Sequence, residues 1–391
     1  MGRIVGFLVN PLAGMGGRVG LHGTDGSGRV AEARRRGARP VAPARAARAL
    51  RRLAARHDVG DLVLAAAPGP MGAELAAASG LRVQPLDVPI GCPTSAADTS
   101  VAARAATDVG ADLLLFAGGD GTAADVLFAV GQSIPLLGIP SGVKMRSGVF
   151  AAFPEAAGDV TAEYLVRLSR ARGVGPHPEL LGNAEVIDAT PTGSAMSAHD
   201  ADPMASQLFG IALVPRVDDG RVVGAKSATA LSSGSALDAL ADAVASELDP
   251  DSLYLVGPGT TTARVLSALG LEASPLGVDA VAGGELVGSD VDEEEILRLI
   301  GAYPRTKLVL GVIGGQGMLL GRGNQQLGPR VLARVSPEDV TILSSADKLV
   351  ALRPALLRVD VGVDASFPWL SGYRRVRVAP SRDMIMRVST A

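Results

Sequence analysis

Cysteine, histidine and aromatic residues are scarce in this chain of 391 residues, which has one cysteine, four histidines and 3% aromatic residues. The single thiol, Cys92, excludes an intramolecular disulfide and any cysteine-rich metal site. We interpret Cys92 as a small buried or loop residue, because no histidine near it in the sequence indicates an activated nucleophile. The run His199-Asp-Ala-Asp202 lacks a paired histidine spacing, which favours a solvated loop over a metal site.

Excess charge of one sign and long apolar runs are also missing. The 37 basic and 40 acidic residues nearly cancel, and no long basic run is interleaved with aromatic residues, which argues against a nucleic-acid partner. The basic clusters 34–36 and 51–52 are interpreted as solvated helix faces. No apolar segment approaches the roughly twenty residues that span a bilayer, and residues 4–9 predict a strand rather than a leader. We expect a cytoplasmic protein with small-molecule substrates, no membrane partner and no nucleic-acid partner.

The first 150 residues alternate short apolar runs with longer helical patterns. The predicted strands are residues 3–9, 61–66, 82–86, 113–117 and 134–139, and the predicted helices are 43–56, 72–79, 95–109 and 123–130. Apolar strands that alternate with helices predict a doubly wound parallel sheet, covered by helices on both faces. Ligands in such folds bind outside the carboxyl ends of the strands.

The length of the chain allows two domains, each with its own core. Residues 156–172 predict a connecting helix, and short strands are predicted at 184–187, 209–215 and 221–225. Further along, the predicted helices are 236–247, 261–269 and 293–302, and the predicted strands are 253–256, 307–312 and 340–343. We therefore predict an α/β domain over residues 1–150 and a β-rich or mixed α/β domain over residues 151–391.

The most informative motif is Gly118-Gly-Asp-Gly-Thr122, which lies between an apolar run and a helical pattern. Without a Cβ, its glycines let the backbone bend sharply and approach a ligand closely. The start of the following helix offers unpaired N–H groups to an anion. Asp120 can take a proton from a hydroxyl or hold Mg²⁺ against a triphosphate. A tight structural turn with Asp120 as a helix cap is the alternative.

Gly-Gly-Asp-Gly-Thr is the signature of a superfamily of ATP-dependent kinases that includes the NAD kinases, the diacylglycerol and sphingosine kinases and, more distantly, the phosphofructokinases. The chain resembles the ATP-NAD kinase family, in the branch that includes the acetoin-catabolism accessory proteins. Further segments carry this resemblance, in the expected order along most of the chain: residues 6–26, 140–150, 255–262, 311–317 and 321–326.

The resemblance implies an ATP-dependent, Mg²⁺-assisted kinase that phosphorylates a hydroxyl of NAD or of a related small metabolite. It implies Asp120 as the base or metal-linked carboxylate, while Gly118, Gly119, Gly121 and Thr122 shape the phosphate contact. The donor is expected to be ATP or another nucleoside triphosphate.

The resemblance also implies an NAD kinase-like fold whose second domain binds the acceptor. Strands predicted at 374–378 and 384–388 extend a sheet, and their return to the first domain, as in NAD kinases, is one alternative. We further expect a homo-oligomer.

Two loops supply further candidate contacts to nucleotide phosphates. The loop after the first strand contains Asn10, Gly14, Gly16 and Gly17, and it is a candidate flap because so many glycines cost chain entropy that a connecting loop could avoid. A long surface connection is the alternative.

Ser141 and Lys144 follow another predicted strand, where an ammonium would counter the charge of a triphosphate, although a solvated lysine is the alternative. Gly259, Thr260 and Thr261 repeat the strand, glycine turn and helix pattern. Their N–H and hydroxyl groups could hold a phosphate or a sugar, with a plain helix cap as the alternative.

The segment Thr190-Pro-Thr-Gly-Ser194 is identical to an NAD kinase motif that contacts the dinucleotide, but the Asn-Glu pair that normally precedes it is missing from this chain. The acceptor therefore stays open between NAD and a specialised nucleoside, sugar or pathway alcohol. A nucleotide-binding accessory or sensor protein without turnover is the alternative from another class, and the intact Asp120 argues against it.

Overall fold

A computed structural model describes residues 2–21, 27–142, 145–171, 177–188, 207–217, 222, 234–274, 277–361, 367 and 370–390. The chain forms two compact units. Unit 1 contains residues 1–15 and 39–225, and unit 2 contains residues 16–38 and 226–391. Unit 1 thus extends beyond residue 150, where we expected the boundary between the domains, and the short segment 16–38 belongs to unit 2.

Helices and strands alternate along most of the chain. The strands are β1 (Arg3–Val9), β2 (Leu62–Ala66), β3 (Arg82–Pro85), β4 (Leu113–Gly118), β5 (Leu136–Pro140), β6 (Leu181–Asp188), β7 (Gln207–Pro215), β8 (Leu253–Val256), β9 (Asp279–Ala282), β10 (Glu285–Gly288), β11 (Thr306–Gly311), β12 (Met318–Leu320), β13 (Val340–Leu343), β14 (Leu356–Val359), β15 (Gly372–Ala379) and β16 (Arg382–Thr390). The helices are α1 (Ser27–Arg35), α2 (Ala42–Ala54), α3 (Ala73–Ala77), α4 (Ala96–Asp108), α5 (Asp120–Val130), α6 (Pro154–Arg170), α7 (Gly234–Ser246), α8 (Thr260–Ala268), α9 (Glu293–Ile300), α10 (Pro329–Leu332) and α11 (Ala346–Ala351). None of these described helices is both long enough and apolar enough to cross a membrane.

Unit 1 is built on a five-stranded sheet with the order β3-β2-β1-β4-β5, in which every neighbouring pair is parallel. One face packs against α2 and α6, with Leu50 and Leu165 fully buried, and the other packs against α4 and α5, with Ala106 and Val126 buried. Strands that are apolar on both sides need such cover. The predicted doubly wound parallel sheet is therefore confirmed.

The antiparallel hairpin β6–β7 belongs to unit 1. Its residues Val186 and Ala212 are fully buried in the same core as α4 and α5, so this apolar face holds the hairpin on the first sheet. This packing explains why unit 1 extends beyond residue 150. Of the strand predicted at 221–225 only Val222 is described, and it forms a single bridge to Ala151.

Unit 2 is built on a mixed sheet of nine strands with the order β10-β9-β8-β11-β13-β15-β16-β14-β12. The predicted mixed α/β character of the second domain is confirmed. The C-terminal hairpin β15–β16 lies between β13 and β14, so the alternative in which the tail returns to the first domain is wrong. The reason is burial, because Val376, Val378, Met386 and Val388 complete the core of unit 2.

Six strands of this sheet close into a barrel, in the order β11, β13, β15, β16, β14 and β12. Closure occurs where Ile313 and Met318 exchange backbone hydrogen bonds of 2.7 and 3.1 Å. The turn between them includes Gly314 and Gly317, whose φ angles of 65° and 69° suit glycine. The glycine-rich run 311–317 therefore has a structural task, since it forms the hairpin turn that closes the barrel.

The segment 16–38 docks on unit 2 beside the start of α9. A Cβ on Gly17 would lie 3.1 Å from Cβ of Gln325, so the backbone of this segment passes directly over that side chain. Glu293, the first residue of α9, is 7% exposed, and within the described part of the chain its Oε1 has no hydrogen-bond partner. Burial raises the pKa of Glu293, although the positive charges of Arg18 and Arg330 oppose this shift.

Glu293→Gln is expected to stabilise unit 2 at neutral pH. Because the pKa of Glu293 is raised in the folded state, protonation of this carboxyl stabilises the folded protein. This contribution to the free energy of unfolding is complete below the ordinary pKa of about 4.3, and it is lost as the pH rises through the folded-state pKa. The variant should therefore gain about 1 kcal/mol over the wild type at neutral pH, the lower end of the cost of an unpaired buried group. Urea unfolding between acid and neutral pH measures this difference. A difference that does not grow with pH would contradict the buried-carboxyl explanation.

Candidate active site

The order of the strands in unit 1 reverses direction at the pair β1–β4, and the loops that leave these two strands separate to opposite sides of the sheet. Ligands of open α/β sheets bind in the crevice at such a point, outside the carboxyl ends of the strands. Asn10 directly follows β1, and Gly119 directly follows β4. The two loops that the sequence indicated thus meet at the position where this fold binds ligands.

The Gly118-Gly-Asp-Gly-Thr122 turn is tightly packed. A Cβ on Gly118 would lie 2.4 Å from Cβ of Thr122, and one on Gly119 would lie 3.3 Å from Cα of Gly142. Helix α5 begins at Asp120, three residues earlier than predicted, so Asp120, Gly121 and Thr122 form its first turn. The N–H groups of a first turn have no partner within the helix and favour an anion.

Asn10 links the two loops through its side chain. Its Nδ2 donates to Oγ1 of Thr122 at 3.0 Å, and its Oδ1 accepts from the N–H of Leu12 at 3.1 Å. Its own N–H donates to the carbonyl of Ala117 at 2.9 Å. Asn10 therefore fixes the start of the glycine-rich loop against the first turn of α5. This role uses both the NH₂ group and the oxygen of its side-chain amide.

Ser141 lies beside the same turn. Its N–H donates to the carbonyl of Gly118 at 2.9 Å, and its hydroxyl donates to the carbonyl of Ile139 at 3.1 Å. Gly14 has a φ of 82°, and a Cβ there would lie 2.2 Å from the carbonyl oxygen of Ser141. The structure therefore brings together Asn10, Gly14, the Gly118–Thr122 turn and Ser141. Lys144 lies outside the described residues.

Asp120 has a structural task in addition to any chemical one. Its Oδ2 accepts the N–H of Arg146 at 2.8 Å, and its Oδ1 accepts the N–H of Ser147 at 3.0 Å. The carboxylate thus anchors the segment that returns from the Ser141 loop. An amide at this position has only one oxygen, so Asp120→Asn would leave one of these two N–H groups facing a donor.

Arg45 is a cation at this edge that the sequence reasoning missed. It lies on α2, and its Nε donates to the carbonyl of Pro140, at the end of β5 and directly before Ser141. A signal was available in the spacing of Ala42, Arg45 and Ala49, which places Arg45 on the apolar face of the helix. In the structure both alanines of this face are fully buried. An arginine on an apolar helix face points to a partner at the end of the sheet.

The other candidate residues belong to unit 2. Gly16 and Gly17 are part of the segment that docks beside Gln325. Gly259 has a φ of 136° and precedes α8, whose first turn contains Thr260 and Thr261. The structure thus assigns the predicted phosphate-contact residues to two separate groups, one in each unit.

No group of three or more metal-ligating side chains occurs in the part of the chain that the structure describes. For Mg²⁺ this arrangement still fits, because Mg²⁺ in kinases is held by one or two carboxylates together with the substrate phosphates. Asp120 is the carboxylate of the Gly118–Thr122 turn, and it would serve either as the protein ligand of Mg²⁺ or as the base.

Comparison with known families shows the family to which the chain belongs. The model of the ATP-NAD kinase N-terminal domain matches residues 5–167, and the model of the ATP-NAD kinase C-terminal domain matches residues 250–388. The chain belongs to the ATP-NAD kinase family. The first match contains Asn10, the Gly118–Thr122 turn and Ser141, and the second contains Gly259 and the barrel. No curated protein and no solved structure matches the chain.

Two features of this ATP-NAD kinase family member lie between the two matched regions. Thr190-Pro-Thr-Gly-Ser194 and His199-Asp-Ala-Asp202 both fall outside the matches and outside the described residues. Whether Thr190–Ser194 contacts a dinucleotide therefore stays open, and the acetoin-catabolism branch stays a prediction.

Gly14→Ala is expected to destabilise unit 1 by about 3 kcal/mol, the sum of a left-handed backbone cost and an overpacked contact with Ser141. Gly110→Ala is the matched control, because Gly110 has a similar φ of 74° with no atom within 4 Å of a Cβ, so only the backbone cost of about 1 kcal/mol applies. Urea unfolding of both variants measures the difference. Equal losses would show that the close approach to Ser141 does not constrain the loop.

Proposed function

We propose that the protein is an ATP-dependent, Mg²⁺-assisted kinase that transfers a phosphoryl group to a hydroxyl of NAD or of a related small metabolite. The observation that carries this proposal is the position of Asp120. It lies on the first turn of α5, outside the β1–β4 pair where open α/β sheets bind ligands. Membership of the ATP-NAD kinase family supports the same chemistry.

In this proposal the first turn of α5 holds donor phosphates through the N–H groups of Gly119, Gly121 and Thr122. The acceptor hydroxyl attacks the γ-phosphorus, a new P–O bond forms, and the bond to the β-phosphate oxygen breaks to release ADP. Asp120 takes the hydroxyl proton. Mg²⁺, when bound with the triphosphate, neutralises part of its charge. Ser141 and Lys144 complete the proposed phosphate contacts.

The Gly259, Thr260 and Thr261 turn of unit 2 is proposed to contact the acceptor or its phosphate. The turn follows β8, and its N–H groups head α8, which is the arrangement that suits an anion. Gly16 and Gly17 remain proposed members of the glycine-rich flap that contacts nucleotide phosphates. They lie where the chain passes from unit 1 to unit 2.

One observation favours a second candidate, a nucleotide-binding accessory or sensor protein without turnover. Asp120 accepts two backbone hydrogen bonds, so the fold needs this carboxylate even when no phosphate is transferred. The presence of Asp120 in the sequence is thus weaker evidence for catalysis than the motif alone indicated. Turnover must be measured to separate the two functions.

The decisive measurement is incubation with ATP, Mg²⁺ and NAD, followed by mass analysis of the products. ADP together with NADP supports NAD as the acceptor, and ADP without NADP points to a specialised acceptor or to hydrolysis. The same incubation is repeated with a panel of nucleosides, sugars and small alcohols as acceptors. ATP binding without ADP formation for every acceptor would support the sensor protein without turnover.

Asp120→Asn is expected to lower kcat by about 10²-fold or more, because the proton acceptor is lost. Asp108→Asn, at the exposed end of α4 in the same unit, is the matched control and should keep full activity. ATP affinity and the melting temperature of each variant are measured alongside, since the amide introduced by Asp120→Asn also disturbs the anchor at Arg146 and Ser147. Undiminished turnover in a folded Asp120→Asn protein would remove Asp120 from the chemistry.

Arg45→Ala is expected to raise KM for ATP about tenfold, because the guanidinium holds the Pro140–Ser141 turn and adds positive charge near the donor phosphates. Arg45→Lys should recover part of this loss, since it keeps the charge. Arg51→Ala, an exposed arginine on the same helix, is the control. If KM stays at the wild-type value in Arg45→Ala, the turn does not need this cation.

A further inference from the structure

Ser147 is a polar residue that is fully buried in unit 1. It belongs to a short segment that lies between two strands. On one side of this segment Phe150 forms a bridge to Gly138 of β5. On the other side the N–H of Gly148 donates to the carbonyl of Glu185 in β6 at 2.7 Å. The segment therefore joins the first sheet to the hairpin β6–β7.

The hydroxyl of Ser147 makes two hydrogen bonds to the backbone of one residue. It accepts the N–H of Ile187 at 3.0 Å, and it donates to the carbonyl of Ile187 at 3.2 Å. A serine hydroxyl has one hydrogen to donate and lone pairs to accept, so a single side chain satisfies both backbone groups. The sheet of β6 and β7 has two strands, and the outer edge of β6 needs partners of another kind. Ser147 supplies such a partner.

Ile187 lies where the hairpin is irregular. Val186 of β6 pairs with Gly210 of β7. The next residue, Ile187, pairs with Leu208, so β7 has one extra residue at this point. Such a bulge disrupts the pairing locally and bends the strand. The hydroxyl of Ser147 therefore holds β6 at the point where its pairing with β7 is least regular.

The backbone of the same serine faces the Gly118–Thr122 turn. Its N–H donates to Oδ1 of Asp120 at 3.0 Å, and the preceding N–H, of Arg146, donates to Oδ2 at 2.8 Å. Hydrogen bonds to an ionised carboxylate are strong, so two donors from consecutive residues set the direction in which Asp120 points. Ser147 thus holds Asp120 through its N–H and β6 through its hydroxyl.

We propose that Ser147 is a positioning residue for the proposed phosphoryl transfer. Its hydroxyl fixes the segment whose N–H groups orient the carboxylate of Asp120, and the hairpin β6–β7 is the support. A general base must lie within hydrogen-bonding reach of the acceptor hydroxyl, and a small displacement of the reacting groups lowers the rate. This inference rests on the proposed function, because a positioning residue requires a reaction.

Ser147→Ala removes the hydroxyl and keeps the N–H that Asp120 accepts. We expect kcat to fall about tenfold, because the carboxylate loses its fixed direction, while KM for ATP changes by less than about twofold. KM is preserved because the substitution leaves the first turn of α5, the proposed site of the donor phosphates, unaltered. Steady-state kinetics with ATP, Mg²⁺ and an acceptor of the wild type measure both constants.

Thr161→Val is the matched control. Thr161 is also fully buried in unit 1, and its hydroxyl donates to the carbonyl of Ala157 within α6 at 2.8 Å. The variant loses a buried hydroxyl hydrogen bond of the same kind, away from Asp120, so it should keep the wild-type kcat. The melting temperature of each variant shows that the comparison is made between folded proteins.

A double-mutant cycle with Asp120→Asn tests whether Ser147 acts through Asp120. Ser147→Ala should lower kcat about tenfold in the wild type and leave the residual kcat of Asp120→Asn nearly unchanged, because the carboxylate that it orients is already lost. A serine with a purely structural role would lower kcat by the same factor in both proteins. That result would overturn the proposal.

Ser147→Cys fills nearly the same space with a weak hydrogen-bonding group, and it should lose kcat as Ser147→Ala does. It keeps the test decisive if the alanine variant fails to fold. A folded Ser147→Ala or Ser147→Cys protein with the wild-type kcat would overturn the inference and leave the proposed function standing. Absence of turnover in the wild type with every acceptor would instead remove the proposed function, and this inference with it.

Discussion

The parallel pairing of β1 with β4 is the constraint on which the candidate site depends. It places the ends of two strands that are far apart in the chain side by side, and it directs their loops to opposite sides of the sheet. β1 has Gly6 where a Cβ would lie 2.7 Å from Cβ of Ala106 on α4 and 2.9 Å from Cδ1 of Leu114, so the missing side chain lets α4 pack closely on this part of the sheet. Asn10 and Thr122 then meet through one hydrogen bond, and the glycine-rich loop is fixed to the first turn of α5.

The carboxylate of Asp120 shows how one side chain can serve both the fold and the chemistry. It heads α5, where a negative charge is favourable, and it holds the returning segment at Arg146 and Ser147. Arg45 holds the other end of that segment at Pro140. Pro140 on one side and Arg146 with Ser147 on the other are thus each held by a charged side chain.

Glycine has a different task in each unit. In unit 1 Gly119 allows the backbone after β4 to approach the backbone of Gly142, and Gly118 leaves room for the side chain of Thr122. In unit 2 the run 311–317 forms the turn that closes the barrel, and Gly321 follows β12 where a Cβ would lie 2.0 Å from the carbonyl oxygen of Asp360. Both runs belong to the segments that carry the family resemblance, and the second has the additional task of closing the barrel.

The sequence by itself determined the five strands of the first sheet, helices α2 to α5, and the Gly118–Thr122 turn, although α5 begins earlier than its pattern indicates. Local periodicity and turn chemistry act over a few residues, so they are readable without tertiary structure. Only the tertiary structure decided that β6 and β7 belong to unit 1, that the tail completes a barrel in unit 2, and that Arg45 reaches the site. Each of these depends on burial against residues far away in the chain, which local pattern does not encode.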